Sequence, residues 1–249
     1  MRDPFPASFS SLPIYTLRLG SVAGVRPDEA RVTGLVCQHV QSFSLTAWNG
    51  YFKGRSDPGW AISVAHFDHL HVAKLAERMR TEFNQEGVGI EAFGRYLRCR
   101  ADHGSEVVAA ELWALRYGFY AAYSRTVFRA ETGVSSWPKD FVIVSACATT
   151  GESWSDERNQ AADAALKARI EMMGVWSFRV TGHSPDGTHA EPGWAVKLSV
   201  ERARQLGSEF LQDAIYAVSA GALNVVSCDS GRYAPVGAFE SRLNVKKHA

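Results

Sequence analysis

The chain lacks most of the features that would assign it to a specialised class of protein. Its 249 residues include 27 basic and 26 acidic side chains, so neither charge is in excess. A near-neutral chain has no overall field that draws it to nucleic acid, to a membrane surface or to a basic partner. It also lacks the acidic excess of a DNA mimic. Hydrophobic residues make up 46% of the chain, which is enough for an ordinary globular core.

Cysteine is scarce and has no pattern. The four cysteines stand far apart and include no C-x-x-C pair: Cys37, Cys99, Cys147 and Cys228. This spacing gives no support to a zinc site or a redox site. Because each cysteine lies in an apolar stretch, we predict four small, reduced core residues of a cytoplasmic protein.

Long hydrophobic runs and catalytic signatures are missing as well. The N-terminus has no apolar segment of a secretory signal, and the longest uncharged stretch, residues 214–228, is too short to span a bilayer. The motifs G-x-S-x-G, Walker A, G-x-G-x-x-G and H-E-x-x-H are absent. We therefore predict a cytoplasmic protein without a cofactor or membrane contact, and the sequence favours no enzymatic activity.

An internal repeat is present. Pro-Gly-Trp-Ala occurs twice, around Trp60 and Trp194, and a Glu-Phe-x-Gln block follows each copy, at Phe83 and at Phe210. The recurrence of both blocks in one order predicts the duplication of one unit. Alternating apolar residues after each motif place the two tryptophans on the inner face of a strand.

Both copies show the same order of elements. A short strand precedes a helix with acidic residues in its first turn, and two strands, a second helix and a last strand follow. Asp68 and Ser199 are expected to cap the second helices. Asn49-Gly50 and Asp186-Gly187 are residue pairs typical of hairpin turns, so we predict a turn at each.

The order β-α-β-β-α-β is that of the ferredoxin-like unit. We therefore predict an α+β fold with this unit in tandem, the first copy in residues 1–103 and the second in residues 139–249. Residues 104–138 would connect them, with an aromatic-rich helix over residues 105–125 and a linker over residues 133–138. The aromatic face of this helix is typical of core packing and is expected to contact both copies.

The second copy resembles a bacterial domain family of unknown function. The family has a Ser-x-x-x-Asn helix start, a Glu-Pro-Ser or Glu-Pro-Gly strand and a Phe-x-Gln-x-Ala block. The matching segments are Ser155 to Asn159, Glu191 to Gly193 and Phe210 to Ala214. The family's Asn-Pro after the first strand is absent, and the first copy matches only the later blocks. The resemblance implies the fold and an origin in bacteria or their mobile elements, without an activity.

Three histidines cluster in one short stretch. His66 and His69 stand three residues apart, so one helical turn could bring both imidazoles and the Asp68 carboxylate to a metal ion, with His71 close by. The alternative is a solvated loop and helix start. We predict no metal site, and these histidines are the candidates if one exists.

Tyr96, Arg98 and Arg100 alternate along a strand and share one of its faces. An aromatic ring beside guanidinium groups can stack a base and contact the phosphates of single-stranded RNA. Tandem ferredoxin-like units are also found in CRISPR-associated RNA-binding and RNA-processing proteins, which is an analogy of fold alone. The alternative is an ordinary exposed strand, and the neutral charge of the chain argues against strong binding to nucleic acid.

These observations predict a non-catalytic protein that binds another macromolecule. Its tryptophans and tyrosines are typical of interface hot spots. The expected binding residues are Tyr96, Arg98, Arg100, Arg116 and Tyr120. The predicted partner is a protein complex of the host, and the specific form that we predict is a phage-borne or plasmid-borne inhibitor of a CRISPR-Cas defence complex, an anti-CRISPR protein. The alternative is a protein that binds or processes single-stranded RNA.

Overall fold

The computed structural model describes residues 12–52, 55–66, 68–130, 136–149 and 151–244. Over these residues the chain is a mixed α+β protein with six α-helices and 13 strands in two sheets. The predicted α+β class is therefore confirmed. The chain divides into two compact units, Met1–Ala121 (unit 1) and Ala122–Ala249 (unit 2).

Unit 1 contains a five-stranded antiparallel sheet with the strand order β2-β3-β1-β4-β5. Its elements are β1 (Ile14–Leu19), α1 (Glu29–Cys37), β2 (Phe43–Phe52), β3 (Arg55–Ala65), α2 (His69–Glu82), β4 (Gly87–Ala92), β5 (Arg95–Arg100) and α3 (Ser105–Tyr117). Helix α3 packs beside α2.

One face of this sheet carries the core of unit 1. Tyr15, Leu17 and Leu19 alternate along β1 and are fully buried, because every second residue of a strand points to the same face. They pack against apolar residues of α1 and α2, among them Val32 and Leu75. The helices therefore cover this face of the sheet.

Unit 2 contains an eight-stranded sheet with the order β12-β11-β10-β7-β9-β8-β6-β13. The elements that follow α3 along the chain are α4 (Ala121–Arg125), β6 (Val127–Ala130), β7 (Asp140–Ser145), α5 (Asp156–Met173), β8 (Ser177–His183), β9 (Ala190–Val196), α6 (Val200–Glu209), β10 (Ala214–Ser219), β11 (Ala222–Ser227), β12 (Tyr233–Ala238), a 3-10 turn (Glu240–Arg242) and β13 (Leu243–Asn244). The short β13 runs parallel to β6, and the other pairs are antiparallel.

Five strands of unit 2 repeat the strand order of unit 1. The run β8-β9-β7-β10-β11 corresponds to β2-β3-β1-β4-β5, with α5 and α6 in the places of α1 and α2. The pairing registers correspond too, since Trp60 lies opposite Leu19 and Trp194 lies opposite Val144. Unit 2 adds a strand at each edge of this shared part, β6 beside β8 and β12 beside β11.

The predicted helix caps are confirmed. Asp68 Oδ1 accepts a hydrogen bond from the backbone N–H of Leu70 at 2.9 Å, and Ser199 Oγ accepts one from Arg202 at 3.4 Å. These side chains satisfy N–H groups that have no partner within the helix.

The predicted hairpin turn at Asn49-Gly50 is wrong. Both residues lie inside β2, where Asn49 is opposite Pro58, and the pairing continues to Phe52 opposite Arg55. The aromatic residues after Gly50 favour a strand, and the ladder extends beyond the predicted turn as far as Phe52. Residues 53 and 54 lie outside the described residues. The turn at Asp186-Gly187 is confirmed: Gly187 has φ +72°, and Asp186 Oδ1 accepts a hydrogen bond from the N–H of Thr188.

The predicted helix over residues 105–125 is interrupted. Helix α3 ends at Tyr117 because Gly118 adopts a left-handed φ of +69°, and α4 is a separate short helix. Val108 and Leu112 of α3 belong to the core of unit 1. Half of the predicted linker, residues 133–135, lies outside the described residues.

The cysteines are all free, and three of them are buried as predicted. Cys37 is the exception. It is the last residue of α1 and is exposed, because the buried stripe of this helix runs along Val32, Leu35 and Val36.

None of the helices formed by the described residues is both long and apolar enough to cross a lipid bilayer.

Candidate functional site

The sheet of unit 1 has a polar face, on the side opposite α1 and α2. It consists of alternate residues from all five strands, and most of their side chains are exposed or half-buried. Its members are Thr16 and Arg18 of β1, Ser44, Thr46 and Trp48 of β2, Ser63 of β3, Gly89 and Glu91 of β4, and Tyr96, Arg98 and Arg100 of β5. We call this set the polar face.

Arg18 connects three strands at the centre of the polar face. Its guanidinium donates hydrogen bonds to both carboxylate oxygens of Glu91 at 2.7 and 2.8 Å, and it lies 5.3 Å from the ring centroid of Trp48. The hydrogen bonds from Arg18 to Glu91 raise the pKa of Arg18. A two-point ion pair combined with a cation–π contact holds the arginine in one orientation. The centre of the face is therefore preorganised.

Tyr96 and Arg98 extend the polar face to the edge strand β5. The Tyr96 ring lies across Gly89, where an added methyl group would collide with it, and its side chain is 59% exposed. The Arg98 side chain covers Gly87 in the same way. Arg100 lies on the same face and is exposed. The predicted alignment of these three side chains thus agrees with the structure, with Cys99 buried between the two arginines.

Three arginines of the polar face each lie near an acidic side chain. Arg18 pairs with Glu91 at 2.7 Å, Arg100 lies 3.1 Å from Asp102, and Arg98 lies 3.9 Å from Glu86. Each of these acidic groups offsets a positive charge locally. The face therefore presents mixed charges and aromatic rings and has no strongly basic groove.

The equivalent face of unit 2 is apolar and buried. The matching registers assign each residue of the polar face a counterpart in unit 2. The counterparts of Ser63, Arg98 and Arg100 are Lys197, Val225 and Ser227, which are not members of the apolar cluster on this face. The other eight pairs, with unit 1 given first, are Thr16 and Phe141, Arg18 and Ile143, Ser44 and Trp176, Thr46 and Phe178, Trp48 and Val180, Gly89 and Tyr216, Glu91 and Val218, and Tyr96 and Leu223. All these counterparts belong to one apolar cluster, which Phe128, Trp137 and Phe239 complete. Unit 2 thus has a core on each side of its sheet.

The other two predicted binding residues lie outside the sheet. Arg116 is in the last turn of α3, and its guanidinium lies 5.0 Å from the ring centroid of Tyr117. It lies near Tyr15 and His69, on the helix-covered side of the sheet. Burial raises the pKa of Tyr15 to about 12, against the opposing effect of the Arg116 charge, whereas burial and the Arg116 charge together lower the pKa of His69 to about 4. Tyr120 is 56% exposed and stands between α3 and α4. The structure thus brings Tyr96, Arg98 and Arg100 together, without Arg116 and Tyr120.

The three candidate metal ligands do not converge. The rings of His66 and His71 stack with centroids 4.4 Å apart, whereas the His69 ring packs near Tyr15, with centroids 6.1 Å apart. His69 and His71 are two residues apart on α2 and therefore do not face each other. Within the described residues, no group of three or more His, Cys, Asp or Glu side chains is arranged to hold a metal ion.

The two repeated glutamines make the same hydrogen bonds in each unit. Gln85 Nε2 donates to the carbonyl oxygens of Ser21 and Phe83, at 3.0 and 3.3 Å. Gln212 Nε2 donates to those of Cys147 and Phe210, at 2.9 and 3.1 Å. Each glutamine ties the end of the first strand to the end of the second helix. These repeated residues therefore stabilise the fold.

Sequence reasoning missed Arg18, Trp48 and Glu91. A signal for the first was present, because β1 alternates strictly between apolar residues and the polar Thr16 and Arg18. Trp48 was missed because the expected turn at Asn49 ended its strand too early. No signal within a single strand identifies Glu91, since its role depends on the pairing of β1 with β4.

The comparison with known protein families matches one segment of the chain. Residues 144–215 match the family described as a protein of unknown function, DUF3293. The segment runs from the end of β7 to the start of β10, within unit 2. No curated protein and no solved structure matches the chain. The resemblance predicted from the motifs is confirmed: over this segment, the chain is similar to a bacterial domain family of unknown function.

Proposed function

We propose that the protein is a non-catalytic binding protein that contacts a protein partner through the polar face of unit 1. The contrast between equivalent faces supports this proposal. In unit 2, apolar residues at these positions form a second core. The same strand arrangement can therefore carry an apolar face that stabilises the unit. Unit 1 instead carries Arg18, Trp48 and Tyr96 there. Arginine, tryptophan and tyrosine are the residues that dominate the energies of protein interfaces.

The charge pattern favours a protein over a nucleic acid as the partner. Binding to phosphates needs a surplus of positive charge, and its strength depends on the number of phosphates neutralised. On the polar face, acidic side chains lie beside Arg18, Arg98 and Arg100. Mixed charges around exposed aromatic rings suit complementary contacts with another protein.

Single-stranded RNA is the second candidate, because of the position of Tyr96. Its exposed ring covers Gly89, and Arg98 follows on the same face. An aromatic platform beside a guanidinium group can stack an unpaired base. Such binding would weaken strongly as the salt concentration rises.

The two units are, in our proposal, copies of one ferredoxin-like βαββαβ unit. The shared strand order, the equivalent glutamine hydrogen bonds and the matching left-handed residues support this duplication. The left-handed pairs are Asn84 with Leu211, and Phe93 with Ala220.

A cytoplasmic location is also proposed, and the four free cysteines support it.

Affinity capture with matched variants tests the proposed face. The wild-type chain, Trp48→Ala, Tyr96→Ala and Tyr233→Ala would each be used to capture proteins from a bacterial lysate. Tyr233 is an exposed tyrosine of unit 2 and is the control. A stoichiometric protein should be retained by the wild type and by Tyr233→Ala. Its affinity should fall at least about tenfold with either polar-face variant. Equal retention by all four chains would disprove the role of this face.

The RNA candidate is tested by the fluorescence anisotropy of labelled single-stranded RNA at low and high salt. If the wild-type chain bound this RNA in a salt-sensitive way and Tyr96→Ala abolished the binding, the partner would be RNA and not a protein.

Inhibition of a CRISPR-Cas complex is the specific form of protein binding that we propose. Target cleavage by such a complex should decrease when the wild-type chain is added, and it should recover with Trp48→Ala.

A further inference from the structure

We propose that the outer edge of β2, the terminal strand of the sheet that the described residues of unit 1 form, joins two copies of this chain, with the β2 strands antiparallel across a twofold axis. The inference goes beyond the proposed function because it concerns the backbone of one strand at the border of the sheet. The part of the polar face on β4 and β5, with Tyr96 and Arg98, would still be available in each copy.

Three of the four sheet edges carry features that discourage pairing with another strand. β5 has three arginines among its six residues, Arg95, Arg98 and Arg100. β12 contains Pro235 and Gly237, and its pairing with β11 is irregular at Leu223/Asn224. The last edge of unit 2 is β13, which has only two residues. Charges, proline, irregular pairing and short strands are the common devices that prevent edge-to-edge association.

Strand β2 has none of these devices. Its ten residues, Phe43–Phe52, include no charged residue and no proline, and they pair with β3 without a register shift. It is the terminal strand of the sheet that the described residues of unit 1 form. Ala47 and Asn49 are exposed on it. A long, regular and uncharged edge is a template for another strand.

The outward backbone groups of β2 can be assigned from Pro58. Proline has no N–H, so its position opposite Asn49 is a pair of the kind that makes no hydrogen bonds across the ladder. Because pairs with and without hydrogen bonds alternate along an antiparallel ladder, every second residue of β2 is in a pair without hydrogen bonds to β3. The N–H and C=O groups of Leu45, Ala47 and Asn49 therefore point away from β3, toward the outer edge.

Unit 2 shows that this edge of the fold accepts a strand. Thr181 on β8 lies opposite Pro192, as Asn49 lies opposite Pro58. On its other side, Thr181 pairs with Arg129 of the antiparallel strand β6. The position that β6 occupies in unit 2 is thus the position beside β2 in unit 1.

A second copy of β2 fits this position because the strand is self-complementary. With Ala47 opposite the partner's Ala47, each outward-facing residue of one strand meets an outward-facing residue of the other, so the hydrogen-bonding pattern is satisfied along the strand. The pairing brings no like charges together, since β2 has no charge. Thr46 would lie beside the partner's Trp48, and pairs between aromatic and β-branched residues stabilise adjacent strands.

The oligomeric state of the full chain tests this inference without any other partner. Light scattering coupled to gel filtration, over a range of concentrations, should give twice the chain mass of 27.3 kDa for the wild type. Ala47→Pro removes an outward N–H without breaking the ladder to β3, and Ala47→Lys adds a charge to the edge. Both variants should be monomeric, and circular dichroism should show that they are folded. Ala222→Lys, at an exposed strand position of unit 2, should remain dimeric.

Two results would overturn the inference. One is a wild-type chain that is monomeric at every concentration. The other is a dimer that Ala47→Lys and Ala47→Pro leave intact. Neither result bears on the polar face, because capture of a partner by wild type and by Tyr96→Ala, on β5 at the opposite edge of the sheet, is measured separately. The dimer and the proposed function can therefore fail independently.

Discussion

Arg18 and Ile143 occupy the same position in the two sheets: Arg18 pairs with Gly89, and Ile143 pairs with the equivalent Tyr216. The Arg18 side chain is one-quarter exposed and forms an ion pair with Glu91, whereas Ile143 is 5% exposed within an apolar cluster. The same backbone therefore carries a polar surface in one unit and a second core in the other.

Exchanging these two side chains should have unequal effects. Ile143→Arg places an unpaired charge among Phe141, Val218 and Leu223, and it should lower the free energy of unfolding of unit 2 by at least about 3 kcal/mol. Arg18→Ile removes a partly exposed ion pair and should cost only about 1 kcal/mol. Urea unfolding of both variants measures the difference. Similar losses would mean that the two faces have equivalent environments.

Two helical glycines should respond to alanine with opposite signs. Gly34 lies on α1 with open space around its missing Cβ, so Gly34→Ala should stabilise unit 1 by about 0.5–1 kcal/mol. At Gly207 on α6, an added Cβ would lie 2.6 Å from Cys228 Sγ and 3.0 Å from Ile215 Cγ2. Gly207→Ala should destabilise unit 2 by about 1–3 kcal/mol. Thermal unfolding tests both, and a stabilising Gly207→Ala would contradict the tight packing.

The stability of unit 1 should decrease as the pH falls below about 6.5. Burial lowers the pKa of His69 to about 4, whereas an unfolded histidine has a pKa of about 6.5. Between these values the unfolded chain binds a proton that the folded chain does not, so folding is disfavoured, by at most about 3 kcal/mol at pH 4. His69→Gln should remove most of this dependence in urea titrations at pH 7, 5.5 and 4.5. The exposed His189→Gln is the control, and an unchanged pH dependence in His69→Gln would exclude this cause.

One cysteine should react rapidly with a thiol reagent in the folded chain. Cys37 is exposed, whereas burial raises the pKa values of Cys147 and Cys228 to about 11 and also raises that of Cys99. Since the thiolate is the reactive form, the three buried thiols should react only after unfolding. A thiol reagent that releases a chromophore measures the number of reactive thiols per chain, in the native and in the denatured protein. Loss of the fast phase in Cys37→Ser would identify the residue, and a fast phase that persists would refute the assignment.

The repeated motifs allowed much of the fold to be predicted from the sequence. Trp60 and Trp194 lie on equivalent strands, and Asp68 and Ser199 cap the helices that follow, because these features depend on residues close together in the chain. The extension of β2 as far as Phe52 was not predicted, because Asn49-Gly50 is a strong local turn signal. Ladder pairing outweighed that local preference.

The difference between the polar face of unit 1 and the equivalent apolar face of unit 2 could be predicted only in part from the sequence. Phe141, Val142, Ile143 and Val144 form a continuous apolar run, which is typical of a strand buried on both sides, whereas β1 alternates. The strand β6 was assigned to the connector because Val127–Ala130 is short and lies far from its partner β8 in the sequence. The centre of the polar face escaped prediction because it depends on three strands that the chain brings together only on folding.

The uncharged edge of β2 also affects how the protein is made. Unit 1 is synthesised first, and its five strands are complete when Arg100 has been added, with more than half of the chain still to follow. At about 5–20 residues per second, the 149 residues that follow Arg100 in this sequence take roughly 7 to 30 seconds to add, and the edge is exposed on the ribosome for that time. Neighbouring ribosomes on one messenger hold identical edges close together during that interval. Slower initiation or a lower temperature during expression should therefore increase the soluble yield, since it reduces encounters between unfinished chains.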